Sequence, residues 1–247
     1  LKKILLSKYL KLKCLLENLL NIYMLKIYNK SIPLISILIA NYNNRKRVKR
    51  AIKSCLKQNY KNIEIIVFDD CSTDGSQNTI KKIKKIKKIF NKKKKYISYQ
   101  DSMNAYLKMF KLSKGKFIFL LDSDDFFFPK KISTLVNFYL KNPKIKFIQD
   151  APRILSKQRT LIKNKNFIFS RWPHFSPTSC LSIERNFFKQ FIKYDNFLKY
   201  KFVNVWLDFR LCAYSFFTRK NFFFLNFPLT NYDKTQSSNQ LNSYFKF

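Results

Sequence analysis

Three carboxylates in four residues, Asp122, Asp124 and Asp125, close an apolar run that reads Phe117-Ile-Phe-Leu-Leu121. The chain has a formal net charge of +36 and only 14 Asp and Glu, yet six of those acids fall in two short clusters: Asp69, Asp70 and Asp74, then Asp122, Asp124 and Asp125. Carboxylates packed so closely repel one another, so a cation normally shares their site. A divalent metal bridging a phosphate-bearing substrate answers that repulsion with the hard-oxygen chemistry these ligands supply. In Asp122-Ser-Asp124 alternate residues let one carboxylate reach the metal while the other reaches a ribose or a second coordination position. Mg2+ or Mn2+ suits such a set. Asp-x-Asp alone is a weak motif, and its meaning depends on the elements that carry it.

Those elements alternate. Leu34–Ala40 is a near-continuous apolar run of strand length, Asn41–Asn44 a turn, and Val48, Ile52, Cys55 and Leu56 mark one face of a helix. Ile63–Phe68 is a second strand, and the next helix carries Ile80, Ile83, Ile86 and Ile89 at a three-residue interval. Asp74 or Ser76 can cap it. The Lys run through residue 95 reads as its solvated face and exit loop, Tyr96–Tyr99 as a weak third strand, 102–112 as a helix and Phe117–Leu121 as a fourth strand. Apolar runs alternating with helices predict a parallel sheet covered on both faces, whose ligands gather at the strands' carboxyl ends. Both acidic clusters fall there. Beyond Pro129 the spacing predicts a helix over 130–141, a strand over 145–149 and helices over 187–192 and 205–214. The aromatic-rich segments between them lack a clear period, and the stretch from Asn231 onward reads as polar loop.

Composition narrows the class. At 247 residues, 46% hydrophobic and 17% aromatic, the chain can bury a real core. Lys far outnumbers Arg, Asn, Ile and Phe are inflated, and glycine stands only at positions 75 and 115, which is the mark of an AT-rich genome. A lysine-coated surface therefore outweighs a nucleic-acid groove, for which arginine is the usual reader, and no nucleic-acid partner is expected. Weak attraction to anionic membrane lipid fits the same charge. The five cysteines (14, 55, 71, 180 and 212) form no CxxC pair and read as reduced, cytoplasmic thiols. No run of about 18 apolar residues exists to span a bilayer. Residues 1–30 mix Lys with Leu, Ile and Tyr at helical spacing, as in a helix packed on the domain or a partner, or in a basic amphipathic helix lying on the cytoplasmic membrane face. Two glycines leave no P-loop and no GxGxxG, so nucleotide phosphates would be held by metal on carboxylate instead.

Four pieces in order carry a family resemblance. They are Pro33-Leu-Ile-Ser-Ile-Leu-Ile-Ala-Asn-Tyr-Asn43, Ala51-Ile-Lys-Ser-Cys-Leu-Lys-Gln-Asn-Tyr60, Glu64-Ile-Ile-Val-Phe-Asp-Asp-Cys-Ser-Thr-Asp-Gly-Ser76, and Lys114-Gly-Lys running into Phe117 to Asp125. Together they resemble the family 2 glycosyltransferases of the GT-A fold. The resemblance implies an α/β, Rossmann-like fold with a mostly parallel central sheet and a C-terminal, helical or irregular acceptor-side subdomain. It divides the chain into a nucleotide-sugar half, 31–128, and an acceptor half, 129–247. Asn41 and Tyr42 would line the nucleotide, Asp69 or Asp70 would meet the base and ribose, Asp122 the ribose, and Asp124 the Mn2+ or Mg2+ that clamps the diphosphate. Asp125 would orient its neighbours.

The same resemblance implies an inverting enzyme in which a late carboxylate deprotonates the acceptor hydroxyl. The segment Val203-Asn204-Val205-Trp206-Leu207-Asp208-Phe209-Arg210 is similar to the family's catalytic helix, but the Glu-Asp pair expected near 203–204 is absent, which leaves Asp208 either as the base or as a partner of Arg210. Two further departures stand out: Cys71 replaces a usual glycine, and Met103-Asn104 an Arg-Asn pair. His174 either completes a metal site or takes a structural or acceptor-stacking role, and Thr178-Ser-Cys180 would line the acceptor side. The implied activity moves a sugar from a nucleotide-diphosphate-sugar to a saccharide or lipid-linked acceptor in bacterial surface-glycan synthesis, at or near the inner face of the cytoplasmic membrane. The alternatives are a degenerate paralogue that binds nucleotide-sugar without turnover and a nucleotidyltransferase, although Asn41–Asn44 is not the glycine- and arginine-rich loop the latter needs.

Overall fold

The computed structural model describes residues 32–93, 98–155, 160–162, 176–198, 205–218 and 222–234. The expectations placed on residues 1–30, on His174 and its neighbours, and on Val203-Asn204 lie outside them. From Leu34 onward the described residues belong to one compact unit.

Nine strands form one mixed sheet: β1 (Ile35–Asn41), β2 (Ile63–Asp69), β3 (Lys87–Phe90), β4 (Phe117–Asp122), β5 (Phe126–Phe127), β6 (Phe147–Leu155), β7 (Thr160–Ile162), β8 (Leu181–Glu184) and β9 (Phe222–Asp233). Their order is β3-β2-β1-β4-β8-β6-β9-β5, with β7 beside β6. The first four are mutually parallel. Strand β8 then runs antiparallel between β4 and β6, and β9 lies parallel to β6. This is the α/β arrangement expected of a GT-A fold, with the second half of the chain continuing the same sheet.

Helices cover both faces. One face holds α1 (Arg45–Leu56), α2 (Ser76–Lys81) and α4 (Lys131–Lys141), whose Val48, Ala51, Ile52, Ile80, Leu135 and Val136 pack on Ile35, Ile37 and Ile39. The other holds α3 (Ser98–Leu112), α5 (Arg185–Leu198) and α6 (Leu207–Phe217), whose Tyr106, Met109, Phe188, Phe191 and Leu211 pack against Leu38, Ile66 and Phe68. Strand β1 is buried on both sides, which is why its sequence is an apolar run without alternation. Gly115, just before β4, is required by close approach: a Cβ there would lie 2.4 Å from Ser36 N. Its N–H instead donates to Ser36 Oγ at 2.8 Å and Glu64 Oε1 at 3.1 Å, tying the starts of β1, β2 and β4 together.

Three expectations are corrected. The helix after Gly75 ends at Lys81, and Ile89 belongs to β3. The isoleucine interval imitates a helix, but Phe90 packs with the α1 face and Ile89 with the α3 face, as successive residues of a strand must. Ser98 and Tyr99 open α3 and are no part of a strand. Asn231 continues β9 to Asp233, where its pairing with Arg153 of β6 and Phe126 of β5 overrides its polar character.

Candidate active site

Parallel register brings the acids to one edge. Asn41 is level with Asp69, and Ala40 with Asp122, so the carboxyl ends of β2, β1 and β4 stand side by side. Asn41 Nδ2 donates to Asp69 Oδ2 at 2.7 Å, and Ser72 N–H donates to Asp69 Oδ1 at 3.0 Å. Asp69 is thereby consumed in holding the turn. Asp70 is tied by its N–H to Asn41 O at 2.9 Å and accepts from Asn91 Nδ2 at 2.7 Å on Oδ1. At the tips of β1 and β2 the buried acceptors Asn41 Oδ1 and Asp70 Oδ2 are left with no hydrogen-bond partner among the described residues, as is Asp125 Oδ2 beyond β4. Buried polar atoms are rarely orphaned, so a pair of them at a strand edge marks a place for a ligand's donors. Tyr42 next door is about half exposed, at 48%.

Cys71 takes a left-handed conformation, φ 60°, where a glycine would be free of Cβ crowding. The turn the family makes with glycine is thus made here by a strained cysteine. Asp74 Oδ2 accepts the N–H of Arg45 at 2.7 Å while Oδ1 accepts that of Ser76 at 2.9 Å. It caps the starts of α1 and α2 together. Met103, on α3, is half-buried against the core.

The second cluster is held from three directions. Asp122 accepts the Tyr106 hydroxyl at 2.8 Å, and its N–H donates to Ser179 Oγ at 3.0 Å. Buried Asp125 accepts the N–H of Asp233 at 2.9 Å. Arg50 donates to the Asp124 carbonyl at 2.8 Å, pairs with the Asp233 carboxylate and lies 4.3 Å over the Phe126 ring. Beneath Ser179, fully buried Lys131 bonds to Asp150 Oδ1 at 2.6 Å, the Ser179 carbonyl at 2.8 Å and Thr230 Oγ1 at 2.5 Å, which uses all three of its protons. Thr230 Oγ1 donates on to Asp150 Oδ2 at 2.7 Å.

The electrostatics follow from this crowding. Burial and the neighbouring Asp124 push Asp122 up to about 7, with the Tyr106 hydroxyl opposing and Asp208 adding. Burial raises Asp124 against the pull of Arg47 and Arg50. Burial, Asp124 and Asp122 hold Asp125 well above the ordinary carboxylate range. Three adjacent acids that resist ionisation form a site short of positive charge. Among the described residues no three His, Cys, Asp or Glu groups converge into a closed metal cage. An open pair of carboxylate ligands completed by substrate phosphate is how Mg2+ is commonly bound, and Asp122 and Asp124 fit that role.

Asp208 lies in the first turn of α6, close enough that its charge raises Asp122. Burial lifts its own carboxyl to about 6 against the N–H groups of Phe209 and of itself. Arg210, its alternative partner in the sequence, turns away: Nη1 meets Asp195 Oδ1 at 2.8 Å and Nε the Val205 carbonyl at 2.8 Å.

Of the seven residues picked from sequence, Asn41, Tyr42, Asp69, Asp70, Asp122 and Asp124 lie along one edge, and Asp208 on α6 is near enough for its charge to act on Asp122. Asn91, Tyr106, Ser179 and Asp233 were not foreseen in these places. Ser179, expected from sequence to line the acceptor side, accepts the Asp122 N–H and so supports that backbone. Nothing in the local sequence marks Asn91 or Asp233, since each gains its meaning from a strand pairing with distant residues.

Residues 36–220 match the profile of Glycosyl transferase family 2, and the chain belongs to that family. Over 105 residues it is 41% identical to UDP-Glc:alpha-D-GlcNAc-diphosphoundecaprenol beta-1,3-glucosyltransferase WfaP of Escherichia coli, covering 42% of this chain and 41% of that protein. Over 116 residues it is 37% identical to an uncharacterized glycosyltransferase of Haemophilus influenzae, covering 45% of this chain and 44% of that one. The chain thus spans less than half the length of these curated relatives. Among solved structures, S. aureus TarS in complex with UDP-GlcNAc superposes with a TM-score of 0.64 over 83% of this chain and 60% of the other, at 14% identity. That likeness concerns the fold.

Proposed function

We propose that this chain is an inverting, divalent-metal-dependent glycosyltransferase that moves a sugar from a nucleotide-diphosphate-sugar to a saccharide or lipid-linked acceptor in bacterial surface-glycan synthesis. The observation that carries the reading is the pairing of orphaned acceptors with uncompensated acids: Asn41 Oδ1 and Asp70 Oδ2 lie at the tips of β1 and β2, next to Asp122, Asp124 and Asp125. The first pair suits the N–H edge of a base, such as the imide of uracil. The second suits a ribose hydroxyl and a metal-bound diphosphate. When bound, Mg2+ or Mn2+ would neutralise the diphosphate as it leaves, held by Asp124 with help from Asp122.

The chain's own residues do the rest. Asp70 and Asn41 orient the base, and Tyr42 flanks it. Tyr106 fixes Asp122 toward the ribose. Asp208 accepts the proton of the acceptor hydroxyl as that oxygen forms its bond to the anomeric carbon, while the carbon–oxygen bond to the diphosphate breaks on the opposite side. One displacement inverts the centre. Its elevated value of about 6 leaves Asp208 mostly ionised near neutrality and still basic enough to take a proton.

The acceptor class leans on WfaP, whose name describes transfer to a diphosphoundecaprenol-linked sugar. Among the described residues no helix is long and apolar enough to cross a membrane. The lysine-rich surface supports peripheral attachment to the inner face of the cytoplasmic membrane. A degenerate, binding-only paralogue is the second reading, favoured by Asn204 at the place where the family carries its acid pair. Hydrolysis of a panel of nucleotide-sugars with Mn2+ separates the two. The native chain should turn over at least one donor, and Asp124→Ala should lose on the order of 10³-fold, as removal of a charge-stabilising group does. No metal-dependent turnover with any donor would overturn the enzyme reading.

A further inference from the structure

We infer that the groove between α1 and α2 is a seat for anionic phospholipid headgroups, which holds the strand-tip edge of the molecule against a membrane. The groove is a cavity of about 740 Å³ lined by Arg45, Lys46, Lys49, Asn78, Thr79 and Lys82 among others, and no carboxylate among the described residues lines it. All four of its cations are exposed to solvent. The nearby Asp74 is spent on the N–H groups of Arg45 and Ser76 and on the Ser76 hydroxyl. Four positive charges therefore face one cavity without local compensation, the arrangement that draws a phosphodiester.

Its position distinguishes it from the donor pocket. The groove begins at Arg45 and Gly75, immediately after the turns that leave β1 and β2, and runs outward to Lys82 and half-buried Ile83. It thus opens beside the edge that carries Asn41 and Asp70, but on the outer side of the helices. A donor diphosphate belongs with Asp122 and Asp124, whereas the groove offers phosphate only cations, hydroxyl and amide. Three of the four cations are lysines, the compact point charges suited to a lipid surface, and lysine contributes about fivefold in membrane partitioning per residue near an anionic leaflet. A lipid headgroup is favoured over a free anion because Ile83 adds an apolar wall to the cationic rim. The inference rests on the lipid-linked acceptor reading for its purpose, but not for its test.

The test is co-sedimentation of the full chain with vesicles of phosphatidylcholine containing about a third phosphatidylglycerol, without donor or acceptor. K46Q/K49Q/K82Q should weaken partitioning roughly 100-fold, from three lost surface contacts. K111Q/K189Q/K193Q removes the same charge from exposed positions on α3 and α5, across the sheet, and should change it less than about threefold. Hydrolysis of a nucleotide-sugar should be alike in both variants and the native chain, which keeps this result separate from the catalytic reading. Equal loss in the two triple variants would show attraction to net charge alone and overturn the proposal. So would undiminished binding of K46Q/K49Q/K82Q. Binding of millimolar inorganic phosphate by the native chain that K46Q/K49Q/K82Q abolishes, with vesicle partitioning unchanged in that variant, would assign the groove to a soluble anion and also overturn it.

Discussion

At the strand-tip edge, Asn41, Asp69, Asp70 and Asp122 stand where they do because three adjacent parallel strands end in register. At the C-terminal wall, Asp208 stands where it does because α6 packs through Leu207, Leu211 and Cys212 onto α3 and the far face of the sheet. The first arrangement is a property of backbone pairing and tolerates much change of side chain. The second depends on a distant helix agreeing with the sheet, and packing of the same kind also props the end of β4: Ser179 under Asp122, Asp233 against Asp125, Lys131 joining Asp150 to Thr230. The lesson is that the proposed donor edge is placed by strand order and propped by packing, while the proposed acceptor side is placed by packing alone.

The sharpest way to break the comparison is to remove the acid on the packed side alone. Asp208→Asn should lower transfer to acceptor by about 10²–10⁴-fold, the range for a general base, while affinity for the nucleoside diphosphate stays within twofold. The pH profile adds a second readout. A base acts ionised, and burial raises Asp208 to about 6, so the native rate should climb as pH rises through 6 and level off above it. Asp208→Asn should lose that inflection. Equal loss of nucleotide affinity and rate would mean that Asp208 serves the donor edge and that the two sides are one.

Lys131 tests the packed side through stability. It and Asp150 are both fully buried, so Lys131→Met leaves a carboxylate without its countercharge and should cost about 3–5 kcal/mol of unfolding free energy. Chemical denaturation reads this directly. Because the Ser179 carbonyl loses a donor in the same change, the turn below Asp122 should loosen, and turnover should fall further than in an equally destabilised variant elsewhere. A loss below about 1 kcal/mol would show that the network contributes little beyond the packing around it.

What the sequence disclosed divides along the same line. Strands β1, β2 and β4 are continuous apolar runs of the right length, and the acids that follow them mark the edge, so Asp70 and Asp124 could be picked out before any fold was known. Strand β3 escaped because Ile80, Ile83, Ile86 and Ile89 mimic helical spacing, and only the pairing of Lys87–Phe90 with Ile66–Asp69 decides otherwise. Strand β9 escaped because Phe222-Phe-Phe-Leu-Asn-Phe-Pro has no alternation, and its partner β6 lies some seventy residues earlier. Asn91 and Asp233 are ordinary loop-like residues until those strands form. Asp208 was legible only through likeness to a helix of the family, since a single acid in an aromatic segment carries no chemistry of its own.

The smallest test probes the one strained point of the strand-tip edge. Cys71, next to Asp70, sits at φ 60°, a conformation that costs a residue with a Cβ roughly 1–2 kcal/mol. Its thiol gains a 3.7 Å contact with the Lys92 carbonyl, a weak return. Cys71→Gly removes the crowding but frees the unfolded chain, so the net should be a stabilisation of about 0.5–1 kcal/mol, visible as a rise of roughly 1–4 °C in Tm. Nucleotide affinity should hold within twofold, because Asp70 is fixed by Asn41 and Asn91 and not by residue 71. If Tm rises but affinity falls, the strained turn aims the free Asp70 oxygen, and the donor edge too would depend on side-chain packing.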